Sequence, residues 1–287
     1  MNATITNTLR VGAGLLLASL ALTSSAQSLR PITGFTNLTF ARNDDNVLSN
    51  VSIGFNVNFF GNNYNELFLS NNGNVQFNFA DGTYTPFSLV GATGNPIIAP
   101  FFADVDTRGL DSNTTQYGTG TLGGHNVFAV NWERVGVYSV LPIYNTFQLL
   151  LIDRSDTGAG NFDFEFNYTD INWESGQASG SNALGLGGVS VHVGYNSGTG
   201  TFFEFPGSGV NGAFLDTNLV SGLIYNQFGT PFDNATSLGR YDFQVRNGIV
   251  ENPLQPVPEP STYGILGSVL LCGVAGFRRW RRSQQAA

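Results

Sequence analysis

The chain has 287 residues, and its 36 glycines and 24 phenylalanines are typical of many turns between aromatic strands. It contains no lysine, and between Gln27 and Pro258 seven arginines are outnumbered by nineteen acidic residues, which argues against a nucleic-acid partner. Cys272 is the only cysteine, which excludes disulfides, thiolate catalysis and cysteine-bound metals from the rest of the chain.

The first 26 residues have the pattern of a secretory signal peptide. Arg10 provides a small positive charge, residues 11–22 are apolar, and residues 24–26 form a small-x-small cleavage site. We predict cleavage between Ala26 and Gln27, and therefore an exported protein.

Residues 27–250 alternate apolar and polar side chains in short runs, the period-two pattern of β-strands. The pair Asn72-Gly73 predicts a two-residue type I′ hairpin turn. About nine or ten such runs, with no helical pattern of three turns, predict an all-β fold, a single antiparallel domain like a β-sandwich. The predicted strands are residues 51–59, 66–70, 75–79, 97–102, 126–132, 146–152, 161–168, 189–195 and 240–246.

One acidic segment has the composition of a metal site. Asp104 and Asp106 are predicted to share one side of a strand end, Arg108 follows, and Asp111 lies just beyond Gly109. Carboxylate oxygens suit calcium, although the spacing is not that of an EF-hand loop. The alternative is structural, with the carboxylates accepting turn N–H groups and pairing with Arg108. We expect no obligatory cofactor, and calcium on Asp104, Asp106 and Asp111 is the alternative.

The residues that could take part in catalysis give a weaker signal than the acidic segment does. The chain has two histidines, His125 and His192, and no Gly-x-Ser-x-Gly motif, and His192 is predicted on the solvent face of a strand. Asp163 and Glu165 lie two residues apart on one strand, whereas glycosidases place two carboxyl groups on opposite sides of the scissile bond. We interpret this pair as part of a solvated polar face and expect no enzymatic activity.

Three stretches resemble the nidogen-type extracellular (NIDO) domain. They are residues 67–77 (LFLSNNGNVQF), 95–107 (NPIIAPFFADVDT) and 161–168 (NFDFEFNY), and an expected turn at residues 194–196 follows in the same order. The resemblance covers about residues 43–247, and its most specific part is the middle stretch. It implies an extracellular domain associated with cell–matrix adhesion and without a catalytic role. It does not identify binding residues or a partner.

The C-terminus has three parts in sequence. Residues 251–260 are a Pro-rich linker, and residues 261–282 contain the apolar run 263–277 followed by a basic stop. As a helix the apolar run would be about 22 Å long, shorter than the roughly 30 Å hydrocarbon core of a bilayer. The predicted sorting residues are Pro258, Glu259 and Pro260, and the basic stop is Arg278, Arg279, Arg281 and Arg282.

This tail resembles the PEP-CTERM sorting signal of Gram-negative bacteria. The resemblance implies an exosortase as processing partner, transient insertion of the helix in the inner membrane, and transfer to the outer surface or the medium. An ordinary single-pass anchor is the alternative.

These features together predict an exported, non-enzymatic protein of the cell surface or extracellular matrix. Adhesion to matrix or association with exopolysaccharide in a biofilm is the expected role, and the exopolysaccharide is implied by the exosortase resemblance. A calcium-assisted lectin using the aspartates around Asp104 is one alternative. A secreted hydrolase using Asp163 or Glu165 is the other.

Overall fold

The computed structural model describes residues 29–139 and 142–251. The predicted cleavage site at Ala26 and Gln27 lies outside these residues, as do nearly all of the linker, the sorting residues 258–260 and the predicted helix with its arginines. Within the two described ranges, no helix is long and apolar enough to cross a membrane.

Fourteen strands and three single-turn 3₁₀ helices make up the regular structure of residues 29–139 and 142–251. The strand content confirms the predicted all-β fold class. The 3₁₀ helices are Ser155–Thr157, Gln177–Ser179 and Leu223–Tyr225. The strands are β1 (Leu38–Thr39), β2 (Val47–Phe59), β3 (Asn62–Ser70), β4 (Asn74–Gln76), β5 (Ile97–Phe102), β6 (Val105–Asp106), β7 (Gln116–Leu122), β8 (His125–Val137), β9 (Asn145–Asp153), β10 (Phe162–Asp170), β11 (His192–Asn196), β12 (Phe202–Glu204), β13 (Arg240–Arg246) and β14 (Ile249–Val250).

The strands form two antiparallel sheets. The first has the order β1-β7-β8-β9-β10-β13-β14, with β6 also paired to β8, and the second has the order β12-β11-β5-β4-β3-β2. One apolar cluster draws side chains from both sheets, for example Ile53 and Leu69 from the second and Phe128 and Leu149 from the first. The two sheets therefore pack face to face around a common core, which is the predicted β-sandwich.

Aromatic side chains fill the space between the sheets. Phe162, Phe164 and Phe166 alternate with polar residues along β10 and are fully buried. Phe164 stacks on Phe243 of the adjacent strand at 4.6 Å between ring centroids. It also meets Phe59 of the second sheet edge to face at 6.5 Å. Such pairs stabilise the fold by about 0.5–1.5 kcal/mol each beyond the burial of their area.

The outer face of the first sheet is covered as well. Apolar side chains on the outer sides of β8 and β9 pack under the N-terminal segment and the loop before β13. These residues are Val127, Ala129, Leu150 and Ile152, under Ile32, Phe35, Leu122 and Phe232. As a result, polar residues on the outer face of a central strand can be as buried as core residues.

Most strands lie where the alternation predicts them, and the differences have local causes. β5 and β13 have the predicted bounds, whereas β7 was not predicted because Gly118 and Gly120 interrupt its alternation. Residues 194–196, expected to form a turn, instead extend β11 and pair with both β5 and β12.

The predicted hairpin after β3 exists, but its turn differs. The register pairs Ser70 with Asn74, so the turn has three residues rather than the predicted two. Gly73 alone among them has a positive φ, +72°, whereas a type I′ turn needs two. A Cβ on Gly73 would also collide with the carbonyl oxygen of Phe101. Glycine is therefore required here, and the turn holds β4 against β5.

Candidate functional site

The acidic segment lies where the chain passes from one sheet to the other. Asp104 follows β5 of the second sheet, and Asp106 is in β6, which pairs with β8 of the first sheet. Both side chains are buried, each 1% exposed. Asp111 is exposed in the turn that follows β6. The three predicted ligands thus occupy different environments.

Asp106 has a full set of partners. Its Oδ1 accepts hydrogen bonds from the Arg108 backbone N–H at 2.8 Å and from Arg108 Nε at 2.9 Å. Its Oδ2 pairs with Arg108 Nη2 at 2.7 Å. This two-oxygen contact is the structural role that the sequence offered as an alternative to calcium.

Asp104 lies close to two carboxylates that the sequence did not suggest. One ligand oxygen from each of Asp44, Asp45 and Asp104 lies within 4.8 Å of the others. We call these three residues the acidic cluster; Asp106 and Asp111 are not part of it. Asp104 is the most buried of the three, and its Oδ2 has no hydrogen-bond partner among the described residues.

The turn between β3 and β4 holds the acidic cluster together. Asn71 Nδ2 donates to the carbonyl oxygens of Asp44 and Val105, both at 2.6 Å. Asn72 Nδ2 donates to Asp45 Oδ1 at 3.0 Å, while its Oδ1 accepts the backbone N–H of Val105 at 3.0 Å. Two adjacent asparagines therefore join the loop before β2 to the segment after β5. In the sequence these segments are about sixty residues apart, so spacing alone gives no signal of the contact.

Electrostatic repulsion is strong at this cluster. Burial, with the nearby charges of Asp44, Asp45 and Asp106, raises the pKa of Asp104 to about 8. Burial, with Asp106 and Asp45, raises the pKa of Asp44 to about 6. Arg108 opposes these shifts through Asp44 Oδ2 at 2.7 Å, but its side chain is half exposed. Arg108 thus pairs with two of these four aspartates, Asp44 and Asp106, and has no salt bridge to Asp45 or Asp104 among the described residues.

Asp163 and Glu165 do not form the solvated polar face that was predicted. Their side chains are almost completely buried, because the outer face of β10 is covered. Asp163 pairs with Arg154 at 2.8 Å and with Arg246 at 2.6 Å. The prediction was wrong because it assumed that the outer face of this sheet meets solvent.

Glu165 has a similar but more crowded environment. It pairs with Arg30 and, at 3.3 Å, with Arg240. Arg30 also pairs with Asp233 of the covering loop. Asp242 stands opposite Glu165 in the register of β10 and β13. Burial and the Glu165 charge raise the pKa of Asp242 well above its usual range.

The two histidines are both held by acceptors. His125 Nδ1 lies 3.0 Å from the carbonyl oxygen of Asp153. His192 was predicted to face solvent, but it is only 8% exposed, and its Nδ1 lies 2.7 Å from Glu204 Oε1. Ser88 donates to Glu204 rather than to His192, so these three groups do not form a serine–histidine relay.

A wide cleft opens on the outer side of the first sheet. Its volume is about 1030 Å³, and its lining includes Glu133, Arg134, Tyr144 and Asn172. Glu133 and Arg134 lie at a bulge in β8, where the register with β9 shifts, and a bulge of this kind redirects side chains. The Arg134 guanidinium lies 4.0 Å from the centre of the Tyr144 ring. Amide, carboxylate and guanidinium groups in such a cleft suit a ligand rich in hydroxyl groups.

Comparison with known proteins identifies both parts of the chain. Residues 19–219 match the family model described as NIDO related, and residues 256–282 match the PEP-CTERM protein-sorting motif. The sorting motif implies exosortase-dependent sorting. The acidic cluster and the cleft lie within the residues matched by the NIDO related model.

Several curated proteins are similar to this chain over part of their length. Alpha-tectorin of Mus musculus is 38% identical over 190 residues, which cover 58% of this chain and 8% of the relative. Alpha-tectorin of Homo sapiens is 37% identical over 190 residues, with the same coverage. Nidogen of Drosophila melanogaster is 28% identical over 193 residues, 57% of this chain and 14% of the relative.

The chain therefore spans only a small fraction of the length of these relatives. No solved structure matches it significantly. The family model, in contrast, covers more than half of the chain. The chain belongs to the NIDO-related family and carries a PEP-CTERM sorting motif at its C-terminus.

Proposed function

We propose that this exported surface protein is a non-enzymatic component of the extracellular matrix, which binds polysaccharide or other matrix material through its β domain. The observation that carries the proposal is the order of the chain: the NIDO-related match over residues 19–219 is followed by a sorting motif at residues 256–282. In this proposal the apolar tail enters the inner membrane only during processing by an exosortase.

The arrangement of the acidic and basic side chains supports a role without catalysis. Asp163, one member of the pair that a hydrolase would use, is held between Arg154 and Arg246. His192 is held by Glu204. A general base must reach a substrate proton directly or through one water molecule, and these groups are enclosed by their partners.

The cleft beside the β8 bulge is the proposed contact surface for matrix polysaccharide. Glu133 and Asn172 are exposed at its edge, and the Tyr144 ring forms part of its wall. Carboxylate and amide groups can exchange hydrogen bonds with sugar hydroxyls. The residues that line the cleft belong mainly to the N-terminal segment, to β8 and β9, and to the end of β10 with the residues after it. A single domain therefore supplies the surface.

Co-sedimentation with extracellular matrix from the producing bacterium tests this proposal. The purified mature protein should remain with the matrix both with and without EDTA. Retention that is lost in EDTA would instead support a calcium-assisted lectin. Absence of retention in both conditions would contradict matrix binding and leave the sorting tail as the link to the surface.

A matched pair of variants locates the contact. Glu133→Ala removes an exposed carboxylate from the cleft, whereas Glu66→Ala removes one from β3, outside the cleft. We expect Glu133→Ala to lower matrix affinity roughly tenfold, as the loss of one charged hydrogen bond would, and Glu66→Ala to leave it unchanged. Equal affinities for the two variants would place the contact elsewhere.

A further inference from the structure

The acidic cluster differs from an ordinary group of surface aspartates. Its three carboxylates come from two segments far apart in the sequence, yet one oxygen atom of each lies within 4.8 Å of the others. Asp104 at its centre is 1% exposed. An ionised carboxylate in such a place is strongly unfavourable unless a cation or several hydrogen-bond donors compensate it.

The donors that would compensate these oxygens are missing among the described residues. Asp104 Oδ2 and Asp44 Oδ1 are both buried without a hydrogen-bond partner. Asn71, whose Nδ2 donates to the Asp44 carbonyl, keeps its Oδ1 without a partner as well. These three atoms are half of the six buried side-chain polar atoms without a partner in residues 29–139 and 142–251. Because buried polar atoms are nearly always paired, their concentration here indicates a missing ligand.

Arg108 does not take the place of that ligand. Its Nη2 contacts Asp44 Oδ2 and Asp106 Oδ2, both at 2.7 Å, and Asp106 occupies its Nε as well. No salt bridge reaches Asp104 from any residue that the structure describes. The unpartnered atoms are all oxygens, so the ligand that would satisfy them is a hard cation.

We infer that Asp44, Asp45 and Asp104 form a calcium site. Calcium binds oxygen atoms at about 2.3–2.6 Å, so ligands on opposite sides of the ion are about 5 Å apart, and oxygens up to 4.8 Å apart fit around it. Magnesium at about 2.1 Å allows only about 4.2 Å across the ion. Water molecules complete the shell on the side of Asp45, which is more open to solvent than Asp104.

The position of the site explains what the ion does. Asp104 is the residue at which the chain leaves the second sheet for the β6–β8 pair of the first. Asp44 and Asp45 lie in the loop that leads into β2, the edge strand of the second sheet. A bound calcium ion therefore fixes the loop before β2 to the crossing between the sheets. This role is structural and is independent of the proposed matrix contact in the cleft.

Thermal unfolding of the purified mature protein with calcium alone tests the site. The melting temperature in 1 mM EDTA is compared with that in calcium at about a hundred times its Kd, which a calorimetric titration provides. We expect one ion per chain and an increase of roughly 5–10 °C, the shift that binding at this saturation gives for a domain of this size. Magnesium at the same concentration should give a clearly smaller shift.

Three variants separate the site from general electrostatic effects. Asp104→Asn and Asp45→Asn should abolish the calcium-induced shift. In EDTA, Asp104→Asn should also melt higher than the unchanged protein, because a neutral amide avoids the cost of placing an aspartate in this buried position. Asp111→Asn changes a nearby exposed aspartate outside the cluster and should keep the full calcium response.

Asp45→Asn tests the same site if Asp104→Asn does not fold, because Asp45 is more open to solvent and its substitution disturbs the fold less. Absence of calcium binding in the unchanged protein would overturn the inference, as would an unaltered calcium response in both variants. An equal response to magnesium would overturn the assignment to calcium. None of these measurements uses matrix material, so the result does not depend on the proposed function.

Discussion

Two groups of buried carboxylates in this protein are compensated in opposite ways. Around Asp163 and Glu165, four of the seven arginines between Gln27 and Pro258 supply the positive charge. These are Arg30, Arg154, Arg240 and Arg246. Near Asp104, Arg108 is the one arginine of the described residues that pairs with an aspartate of the acidic cluster; it is half exposed and contacts Asp44 and Asp106, not Asp104. Asp163 and Glu165 each have two arginine partners, whereas Asp104 has none among the described residues and is compensated, in our inference, by a cation.

The comparison teaches that the number of acidic residues is a poor guide to a metal site. Asp163 and Glu165 are as buried as Asp104, and both have guanidinium partners. What distinguishes the acidic cluster is the concentration of unpartnered oxygens, two on its own carboxylates and one on the adjacent Asn71, against the single Asp242 Oδ2 in the first group. A buried carboxylate with arginine partners is a structural element, whereas one without partners indicates a ligand.

Removal of an arginine from the first group should have the largest effect. Arg30→Met leaves the fully buried Glu165 with Arg240 at 3.3 Å as its remaining ion pair in the described residues. We expect the free energy of unfolding to fall by about 3–5 kcal/mol, the usual effect of removing one partner from a buried ion pair. Denaturant unfolding measures the change.

The matched control is Arg134→Met, which removes an exposed arginine from the β8 bulge. It should change stability by less than about 1 kcal/mol, since the variant loses only an exposed contact with the Tyr144 ring. Similar losses for the two variants would mean that the arginines around Glu165 do not compensate its charge, and the contrast between the two groups would disappear.

The pH dependence of the free energy of unfolding tests Asp242, the carboxyl group that stands opposite Glu165 in the first group. Because burial and Glu165 raise the pKa of Asp242 in the folded protein, its contribution is present below about pH 4 and is lost as the pH rises. Asp242→Asn should therefore flatten the decline in unfolding free energy between pH 5 and pH 8. The gain should be larger at pH 8 than at pH 5. A variant that loses stability equally at both values would contradict this interpretation.

The smallest effect is expected at Asp106. Asp106→Asn breaks its ion pair with Arg108, but Arg108 is half exposed, can be hydrated and keeps its contact with Asp44. We expect a loss of less than about 1 kcal/mol in denaturant unfolding. A loss as large as that of Arg30→Met would show that the two groups depend on their arginines equally.

The strands could be predicted from the sequence because their alternation is local. Phe162, Phe164 and Phe166 show the period of β10 directly, and the middle stretch, residues 95–107, indicated the family. The tail was recognised separately, from its own three-part pattern, and its sorting motif is confirmed by the match over residues 256–282.

The environments of the polar residues could not be predicted in the same way. Whether Glu165 meets solvent depends on Arg30 and Asp233, which are 135 and 68 residues away along the chain. The carboxylates near Asp104 lie in a loop about sixty residues earlier, and two turn asparagines join that loop to Val105, the residue after Asp104. A single sequence does not contain these contacts in any local pattern.

The end of the domain at β14 has a mechanical consequence. β14 has only two residues, which pair with Val245 and Arg246 of β13 at the edge of the first sheet. A force applied through the C-terminal tail acts first on this strand pair and breaks its hydrogen bonds one after another. The next strand, β13, is paired with β10 over six residues, so further extension must break many more bonds. The two-residue strand β14 is therefore expected to detach under force before the two sheets separate.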